Sequence, residues 1–544
     1  MSRNKIGAVP KVIRTAPEFF NIIGGMKPKH TKVTFKPYTQ QQLLLPTHLE
    51  ELIPGQHLVR VVNNVVDDLD IEPLLRQYKG GGTSSYHPKM LLKVLIYAYT
   101  QRTYSCRQIA KALRENVNYM WLSGMNKPNF RTINRFRGVI MRDVIEDIFT
   151  LVLQYLIEHE YVHLETYFLD GTKIEANANR YSFVWRKSTE NYKKKLQEKV
   201  RGIMEEVERV NEEEDRLYGD KDLKELGEDA DIDSESIREL ARQLNEKLKK
   251  EPKDKRLKKA VKKLENDYIP RMLKYEQYEE KFSGRNSLSK TDEDATFMCM
   301  KEDHMRNRQL KPGYNVQIGT ENQFITGYSI HQRPGDSACL VPHLENVRQR
   351  LDRLPDKVVT DAGYGSEENY TYLEEHQIEA YVKYNTFDRE QRKRRKVPEQ
   401  EKYWSSNWNY DEQADEYTCP QGKRLTYEKT RRFRTDNHYL TDRRVYRCKD
   451  CEDCPVRALC TKSKYGRSIW MSSRLNQFRQ RARDRLQSSE GERLRSQRLV
   501  EAESVFGQVK HNWSFRRFLL RGLEKVNIEW GVVSIAHNVA KLAA

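Results

Sequence analysis

Three acidic residues that lie far apart in the chain could together bind divalent metal ions: Asp170, Asp361 and Glu503. Asp170 and Asp361 each close a predicted strand, and glycine follows closely in both cases, at Gly171 and Gly363. Carboxylates at the ends of neighbouring strands meet in one crevice, and glycine lets a backbone or a phosphate approach them. Carboxylates held this close require a cation between them, and Mg²⁺ or Mn²⁺ suits such oxygen ligands. The pattern predicts two metal ions that catalyse phosphoryl transfer, although a single aspartate at a strand end more often caps a turn.

The third acid is expected on a helix near the C-terminus. Glu503 falls on the same helical stripe as Lys510, together with two apolar residues, at steps of four, three and four. Glu501 is a competitor, but a neutral glutamine stands seven residues after it. Lys510 is therefore expected to hold a phosphate beside the metals. Gly507 lies in the middle of this helix, where glycine costs about 1 kcal/mol relative to alanine, and this predicts close packing around it.

A cysteine cluster provides a second possible metal site. Cys448, Cys451 and Cys454 are spaced C-x2-C-x2-C, Cys460 follows six residues later, and Cys419 precedes them. Four thiolates are a usual ligand set for structural Zn²⁺, and we take the first three with Cys419 as that set, with Cys460 able to replace one. Reduced thiols without a ligand and an iron–sulfur centre are the alternatives, although the fourth spacing fits the latter poorly.

The composition indicates a polyanionic partner. The chain has 544 residues, 37% of them hydrophobic and 32% charged, with a formal net charge of +18. A balance this basic favours nucleic acid over other partners, the alternative being a basic soluble or ribosome-associated protein. No run of 18 apolar residues is present, and the first 20 residues lack the apolar core of a signal peptide. We expect a cytoplasmic protein with no membrane contact, associated with the nucleoid when bound to DNA, and cysteines that are not in disulfides.

Residues 1–150 are predicted to form an all-α, DNA-binding N-terminal domain. The run SCRQIAKAL begins with a capping-box pattern at Ser105, and after a break at Gly124 the run FRTINRFR follows. Two short helices around a turn, the second rich in arginine, suggest a helix-turn-helix whose Arg131, Arg135 and Arg137 contact DNA. A helical bundle with a basic surface is the alternative.

The remaining sequence alternates between two kinds of pattern. Residues 160–185 and 310–388 read as strands and helices that suit an α/β, ribonuclease-H-like core, and 491–544 as its C-terminal catalytic helices. Residues 186–290 show apolar positions at heptad spacing among charged ones, which predicts a coiled-coil-like helical insertion. Residues 389–490 form a second insertion, which is basic and rich in cysteine and contains the runs RKRRK and FRQRARDRL.

At these residues the sequence resembles the DDE transposases of bacterial insertion sequences. The resemblance covers almost the whole chain and rests on the following motifs: HPKMLLKVLIYAY, FLDGTKIEANANR, KPGYNVQ, VVTDAGYGS, VEAESVFGQVK and FRRFLLRGLEKV. It implies a ribonuclease-H-like core in which Asp170, Asp361 and Glu503 bind two Mg²⁺ (or Mn²⁺) ions. It also implies binding to the terminal inverted repeats of the element and to target DNA, both double-stranded, followed by strand cleavage and transfer.

The same resemblance suggests further contacts and one departure. Lys510, Arg180, Arg516 and Arg517 are expected to contact DNA, and a homodimer or higher oligomer is expected in the active complex. Many relatives place a tyrosine and an arginine before the glutamate, with two and then three residues intervening. Those positions are Ser496 and Leu499 here, while Arg495 and Arg498 lie off that register. This puts in doubt any DNA-end chemistry that uses those side chains, including hairpin formation.

Three other functions remain open on the sequence alone. A transposase-derived DNA-binding protein that has lost catalysis is opposed by the intact acids. A structure-selective nuclease could use the same fold, because a fold does not fix a function. A zinc-dependent transcription regulator would explain the cysteines but not the carboxylates at strand ends.

Overall fold

The computed structural model describes residues 48–78, 85–218, 232–250, 252–300, 309–391, 399–435 and 437–544. Three segments assigned from the sequence lie outside these ranges: residues 1–47 of the predicted N-terminal domain, residues 219–231 between the charged helices, and the RKRRK run at 392–396. Leu49–Ala544 form one compact unit, to which the description below applies. Among the described helices, none is both long and apolar enough to cross a lipid bilayer.

The N-terminal part of the described chain is helical. Its helices are α1 (Leu58–Asp68), α2 (Glu72–Leu75), α3 (Pro88–Thr100), α4 (Cys106–Glu115), α5 (Val117–Leu122), α6 (Phe130–Gly138) and α7 (Ile145–Glu158). Helix α3 is buried along most of its length because its MLLKVLIYAY run is apolar on every face. Helix α4 begins directly after Ser105, as expected, but the Ser105 side chain makes no capping hydrogen bond. A further short helix, α5, separates α4 from the arginine-rich α6.

The charged helical insertion begins after the first strand of the core. That first strand is β1 (Thr166–Glu175). The elements that follow it are β2 (Phe183–Trp185), α8 (Arg186–Tyr218), α9 (Ser234–Lys250), α10 (Lys255–Lys263), α11 (Ile269–Phe282) and β3 (Ser287–Ser289). Strand β2 pairs antiparallel with β3, so the insertion leaves and re-enters the core at adjacent strands. Leu196, Val200, Leu264 and Tyr268, which the heptad spacing singled out, are buried together with apolar residues of α9. The insertion is therefore a small bundle rather than a single helical pair.

A six-stranded mixed sheet forms the centre of the described chain. The elements after β3 are β4 (Thr296–Cys299), β5 (Leu310–Glu321), β6 (Phe324–His331), α12 (Leu340–Leu351), β7 (Lys357–Thr360), α13 (Glu367–Glu375), β8 (Glu379–Val382) and α14 (Phe387–Gln391). The strand order is β4-β5-β1-β7-β8, and β6 also pairs with β5. Strand β1 is antiparallel to β5 and parallel to β7, which is parallel to β8. These pairings confirm a mixed α/β core.

Strands β5 and β6 are joined by a two-residue turn. Asn322 and Gln323 both have positive φ angles, of 50° and 62°. Two such residues make the tight hairpin turn that matches the natural twist of antiparallel strands. Strands β5 and β6 are therefore held in a fixed register beside β1.

The cysteine-rich insertion contains a separate antiparallel sheet. Its elements are β9 (Asn409–Asp411), β10 (Glu416–Thr418), β11 (Arg424–Arg434), β12 (Leu440–Cys448), α15 (Arg457–Cys460) and β13 (Ser468–Met471), with the strand order β13-β12-β11-β10-β9. Its core is small and includes Trp408, Tyr446 and Met471. Trp408 packs in this core, whereas Trp404 is 48% exposed.

Three helices end the chain: α16 (Ser473–Gln487), α17 (Ser489–Gly507) and α18 (Leu523–Leu542). A π-helical turn, Gln508–Asn512, follows α17 directly. Helix α18 is buried over most of its length and contacts α3, α7 and β6. The last helix thereby joins the N-terminal helices to the central sheet.

Candidate active site

Asp170 and Asp361 lie where two parallel strands separate. The sequence placed Asp170 at a strand end, and this was wrong, because β1 continues to Glu175 in pairing with β5. The parallel pairing of β1 with β7 stops earlier, at Phe168 and Val359, so Asp170 lies just past the point of separation. Asp361 follows β7 directly, as expected, and its Oδ1 accepts a hydrogen bond from the Gly363 amide at 2.8 Å. Both carboxylates therefore border one crevice at the same edge of the sheet.

Glycine is required beside Asp170 because a side chain would have no room. A Cβ atom at Gly171 would overlap the Gln317 amide and would lie 2.7 Å from Oδ1 of Asp336. Asp170 is itself buried, with 6% of its surface exposed. The groups that approach Gly171 are therefore two side chains, an amide and a further carboxylate, rather than the backbone or phosphate expected from the sequence.

Asp336 is the residue of this crevice that the sequence reasoning missed. Its Oδ1 accepts hydrogen bonds from the side-chain amides of Asn315, at 2.8 Å, and Gln317, at 3.0 Å. Tyr364, three residues after Asp361, donates a hydrogen bond to the carbonyl of the same Gln317. Burial raises the pKa of Tyr364 well above its usual value, and the charges of Asp336, Asp170 and Asp361 raise it further. Three carboxylates thus surround one buried tyrosine that stays protonated.

No local pattern would have revealed Asp336. The residue stands in a short loop between β6 and α12, in the run RPGDSA, which reads as an ordinary turn before a helix. Its position beside Gly171 depends on the pairing of β1 with β5, between residues more than a hundred positions apart.

Glu503 is connected to Asp170 through an arginine. Arg498 places Nη1 at 3.5 Å from Oδ2 of Asp170 and Nη2 at 3.5 Å from Oε1 of Glu503. The Arg498 side chain is only 13% exposed, whereas that of Glu503 is 51% exposed. The sequence reasoning set Arg498 aside as off register, yet the structure brings it into the crevice. Ser496 and Leu499 are exposed on the same helix.

Glu501, the competing acid, has a structural role. It is 4% exposed, and its Oε2 accepts a hydrogen bond of 2.6 Å from the backbone amide of Gln323 in the β5–β6 turn. A carboxylate that fixes a turn of the sheet is turned away from the crevice that Arg498 reaches. The geometry therefore favours Glu503 over Glu501 as the third acid.

Glu503 and Lys510 differ in exposure. Glu503 is exposed, while Lys510 is 6% exposed and donates a hydrogen bond from Nζ to Oγ1 of Thr172 at 3.1 Å. A π-helical turn that follows Gly507 changes the angular step of the helix before Lys510. Thr172 lies two residues after Asp170 on β1, and therefore on the same face of that strand. The contact of Lys510 with a phosphate stays a prediction. The expected close packing at Gly507 is wrong, since a Cβ there would meet nothing within 4 Å.

Two family models match the chain. One, described as a transposase DDE domain, matches residues 418–543, and the other, described as a transposase domain (DUF772), matches residues 47–138. The two matches indicate a DDE transposase of an insertion sequence. No curated protein and no solved structure matches the chain. The first range contains Glu503 and the cysteine cluster, and Asp170 and Asp361 lie outside both ranges.

The N-terminal arginines of this transposase differ in exposure. Arg131 and Arg135 are exposed on α6. Arg137 is 4% exposed and donates hydrogen bonds to Tyr99 Oη, at 3.0 Å, and to the Tyr104 carbonyl oxygen, at 2.8 Å. The prediction that Arg137 contacts DNA is therefore corrected: this arginine belongs to the core.

Arg137 is balanced by a buried acid of the last helix. Glu529 is almost completely buried, and burial raises its pKa. Its Oε2 accepts hydrogen bonds from the backbone amides of Leu519 and Leu520, and Tyr99 Oη lies 3.5 Å from Oε1. This buried cluster of Arg137, Tyr99 and Glu529 ties α6 to α18.

The other basic residues of the transposase lie at the far end of β1. Glu175 forms ion pairs with Arg180, at 3.7 Å, Lys311, at 3.4 Å, and Arg517, at 3.9 Å. One carboxylate among three cations leaves an excess of positive charge there. Arg516 is exposed next to Arg517, and its Nε donates to the Lys510 carbonyl oxygen at 3.0 Å.

The cysteines of the insertion are near one another. Cys419, Cys448, Cys451, Cys454 and Cys460 line one cavity, and all eight cysteines of the chain are free of disulfides. Burial raises the pKa of the Cys448 thiol to about 11, with contributions from Cys451 and Cys419. The backbone amide of Arg467 lies 3.5 Å from the sulfur of Cys451.

Neither set of candidate ligands forms a complete coordination site among the described residues. Within the described residues, no group of three or more His, Cys, Asp or Glu side chains is arranged to hold a metal ion. In the crevice, the guanidinium of Arg498 lies between Asp170 and Glu503. The carboxylate oxygens of this crevice are ligands of the type that Mg²⁺ prefers. The guanidinium of Arg498 already balances part of their negative charge.

Proposed function

We propose that this transposase binds the ends of its insertion sequence and catalyses two-metal-ion cleavage and transfer of DNA strands. The observation that carries the proposal is the crevice in which Asp170 and Asp361 border the separating strands and Arg498 links Asp170 to Glu503. The order β6-β5-β1-β7-β8, with three antiparallel strands followed by two that are parallel to β1, supports a ribonuclease-H-like core.

Asp170, Asp361 and Glu503 would hold two Mg²⁺ (or Mn²⁺) ions. When bound, such ions activate the attacking oxygen and stabilise the leaving oxygen of an in-line phosphoryl transfer. The carboxylate oxygens are the hard ligands that these cations select. A Cβ at Gly363 would lie 3.0 Å from Oδ1 of Asp361, so glycine there keeps that carboxylate unobstructed.

Arg498 and Asp336 prepare this crevice. Arg498 holds Asp170 and Glu503 near one another by neutralising part of their mutual repulsion. Its partners at 3.5 Å are long for ion pairs, so a metal or a phosphate can displace the guanidinium without breaking a close bidentate contact. Asp336 orients the amides of Asn315 and Gln317 beneath Gly171, and thereby sets the floor on which Asp170 lies.

DNA would contact exposed basic residues on two parts of the molecule. Arg131 and Arg135 on α6 suit the DNA-recognition role predicted for the N-terminal helices. Arg180 and Arg517 offer positive charge near the end of β1. The homodimer or higher oligomer and the cytoplasmic location stay predictions from the sequence.

We also infer that the insertion binds one structural Zn²⁺ ion through four of its five clustered cysteines. The five side chains line one cavity, and thiol groups gathered this closely are an arrangement that a bound metal would stabilise. A zinc ion would supply stability to a small sheet, without taking part in DNA chemistry.

Asp361→Asn tests the catalytic proposal. On a duplex that carries the terminal repeats, Mg²⁺-dependent cleavage should fall by about 1,000-fold or more, since several kcal/mol of transition-state stabilisation would be lost. Affinity for the same duplex without metal should change little. The matched control is Asp352→Asn, because Asp352 is exposed, lies before β7 rather than after it, and has a φ of 50° that asparagine tolerates.

Two outcomes decide between the candidate functions. Wild-type cleavage rates in Asp361→Asn would refute the assignment of the acids. Cleavage without any joined product, when a target duplex is supplied, would favour a nuclease over a transposase that transfers strands.

A further inference from the structure

Strands β11 and β12 form a long ribbon that is unusually rich in arginine. Strand β11 contains five basic residues and β12 three, against one acidic residue in each strand. The basic residues are Arg424, Lys429, Arg431, Arg432, Arg434, Arg443, Arg444 and Arg447. Most of β11 is exposed, so its charges face solvent rather than the small core of the insertion, while the three arginines of β12 are half-buried. We call β11 and β12 together the arginine ribbon.

The cross-strand pairing of the arginine ribbon is unfavourable for folding. Arg431 lies directly opposite Arg443 in the antiparallel register. Like charges in directly opposed positions destabilise a sheet, whereas opposite charges or aromatic pairs would stabilise it. A pairing that opposes stability indicates that these charges act on something outside the chain.

Two of these arginines are stacked on aromatic rings. The guanidinium of Arg443 lies 3.7 Å from the centroid of Phe433, and that of Arg431 lies 5.8 Å from the centroid of Trp470. The register places Arg431, Phe433 and Arg443 on one face of the ribbon. Stacking limits the rotamers of an arginine but leaves its N–H groups free to bind phosphate oxygens, so less entropy is lost on binding.

The tip of the ribbon is fastened to the element that follows Asp361. Thr441 Oγ1 donates to the carboxylate of Glu367, at 2.8 Å from Oε2, and Ser472 Oγ donates to the same oxygen at 2.7 Å. The side-chain amide of Asn437 contacts Glu368, at 3.3 Å. Glu367 begins α13, only six residues after Asp361. The ribbon is thus held at a fixed position relative to the catalytic crevice.

We propose that the arginine ribbon binds the backbone of duplex DNA and holds it beside Asp361. The inference rests on the proposed function, which makes DNA the substrate, and it assigns the surface that holds it. A two-stranded antiparallel ribbon has the width to lie in the major groove, and arginines along it can reach phosphates of both strands. An acidic protein is the competing partner that the experiment must exclude.

The test replaces the arginines that have no acidic partner among the described residues. The ribbon variant is Arg431→Gln, Arg434→Gln and Arg443→Gln in one chain. The control is Lys258→Gln, Lys259→Gln and Lys262→Gln, which removes the same charge from exposed positions of α10 in the helical insertion. Affinity for a duplex carrying the terminal repeats is measured between 50 and 300 mM salt without divalent metal, so that no cleavage occurs.

Each lost phosphate contact lowers the slope of log K against log salt by about 0.9. We expect the ribbon variant to lose about 2 to 3 in slope and at least tenfold in affinity, and the control to keep both. The variant Arg431→Lys, Arg434→Lys and Arg443→Lys should restore most of the slope, because lysine keeps the charge, and this excludes misfolding as the cause.

The failures of the two proposals can be told apart. A wild-type chain that binds no duplex would overturn the proposed function itself. A wild-type chain that binds, with an unchanged slope in the ribbon variant or an equal loss in the control, would overturn only the ribbon. Binding to an acidic polypeptide with the affinity seen for DNA would also overturn the assignment of the partner.

Discussion

The two sheets of this molecule differ in the burial of their polar groups. In the central sheet, Asn315 and Gln317 are completely buried and bonded to Asp336, and Tyr364 is bonded to Gln317. In the sheet of the insertion, most charged side chains are exposed and the apolar core is small. A buried, fully bonded polar network fixes atoms closely, whereas an exposed charged surface can adapt to a partner. The first arrangement suits chemistry, and the second suits the binding of a long polyanion.

The largest expected effect is the difference between substitutions of Glu503 and Glu501, the two candidates for the third acid on α17. Glu503→Gln should lower Mg²⁺-dependent cleavage by about 1,000-fold or more, with little change in the free energy of unfolding, because its side chain is half exposed. Glu501→Gln should do the reverse, because it weakens the bond that fixes the β5–β6 turn: stability should fall by about 1–3 kcal/mol. Cleavage kinetics and urea unfolding of both variants make the comparison, and an inactive Glu501→Gln of normal stability would contradict it.

Loss of the zinc ion should affect only the fold of the insertion. Zinc bound by thiolates contributes about 10 kcal/mol or more to the folding of small domains, and the core around Trp408 and Tyr446 has little else to replace it. We expect Cys451→Ser to lose zinc and to make the insertion sensitive to limited proteolysis, with the central sheet intact. Cys299→Ser is the control, since Cys299 lies outside the cluster. Under about half an equivalent of zinc in wild-type protein, purified without chelator, would refute the site.

A single methyl group should disturb the central sheet. In Gly171→Ala the new Cβ would overlap Gln317 and approach Asp336, which should cost about 1–3 kcal/mol of stability and lower the cleavage rate. Gly507→Ala is the matched control, because its Cβ meets nothing within 4 Å and alanine favours the helix by about 1 kcal/mol. Denaturant unfolding of the two variants should show shifts of opposite sign.

The last expected effect concerns the stability of the protein at low pH. Burial lowers the pKa of His331 to about 4 and also lowers that of His343, and both histidines are hydrogen-bonded to Ser329 beside β6. A depressed histidine pKa means that the unfolded chain binds more protons, so stability present above pH 6.5 is lost as the pH falls towards 4. His331 alone accounts for at most about 3 kcal/mol. The insertion contains only the exposed His438, so its own unfolding, followed by tryptophan fluorescence, should not show this dependence.

The sequence predicted secondary-structure elements better than it predicted contacts between residues that are distant in the chain. Local patterns predicted that a helix begins after Ser105 and that a strand ends at Asp361, because helix starts and strand patterns are set by nearby residues. They placed Asp170 at a strand end wrongly, because the pairing of β1 with β5 extends the strand. They could not reveal Asp336 or the inward position of Arg498, since both depend on strands and helices that meet across long stretches of chain.

Burial was a second property that the sequence analysis misjudged. Arg131 and Arg135 are four residues apart and share one face of α6, whereas Arg137, two residues after Arg135, faces the core. The reason lies almost four hundred residues later, in the buried carboxylate of Glu529. The burial of Lys510 beside Thr172 likewise depends on a strand more than three hundred residues earlier in the chain.

The buried cluster of Arg137, Tyr99 and Glu529 has a consequence for the energetics of DNA binding. Because it fastens α6 to α18 in the free protein, the orientation of α6 exists before any DNA arrives. Ordering a recognition element at the moment of binding consumes part of the affinity, and a helix already fixed avoids that entropic loss. Replacing this cluster would therefore weaken DNA binding through increased freedom of the unbound state, with every contact residue still present.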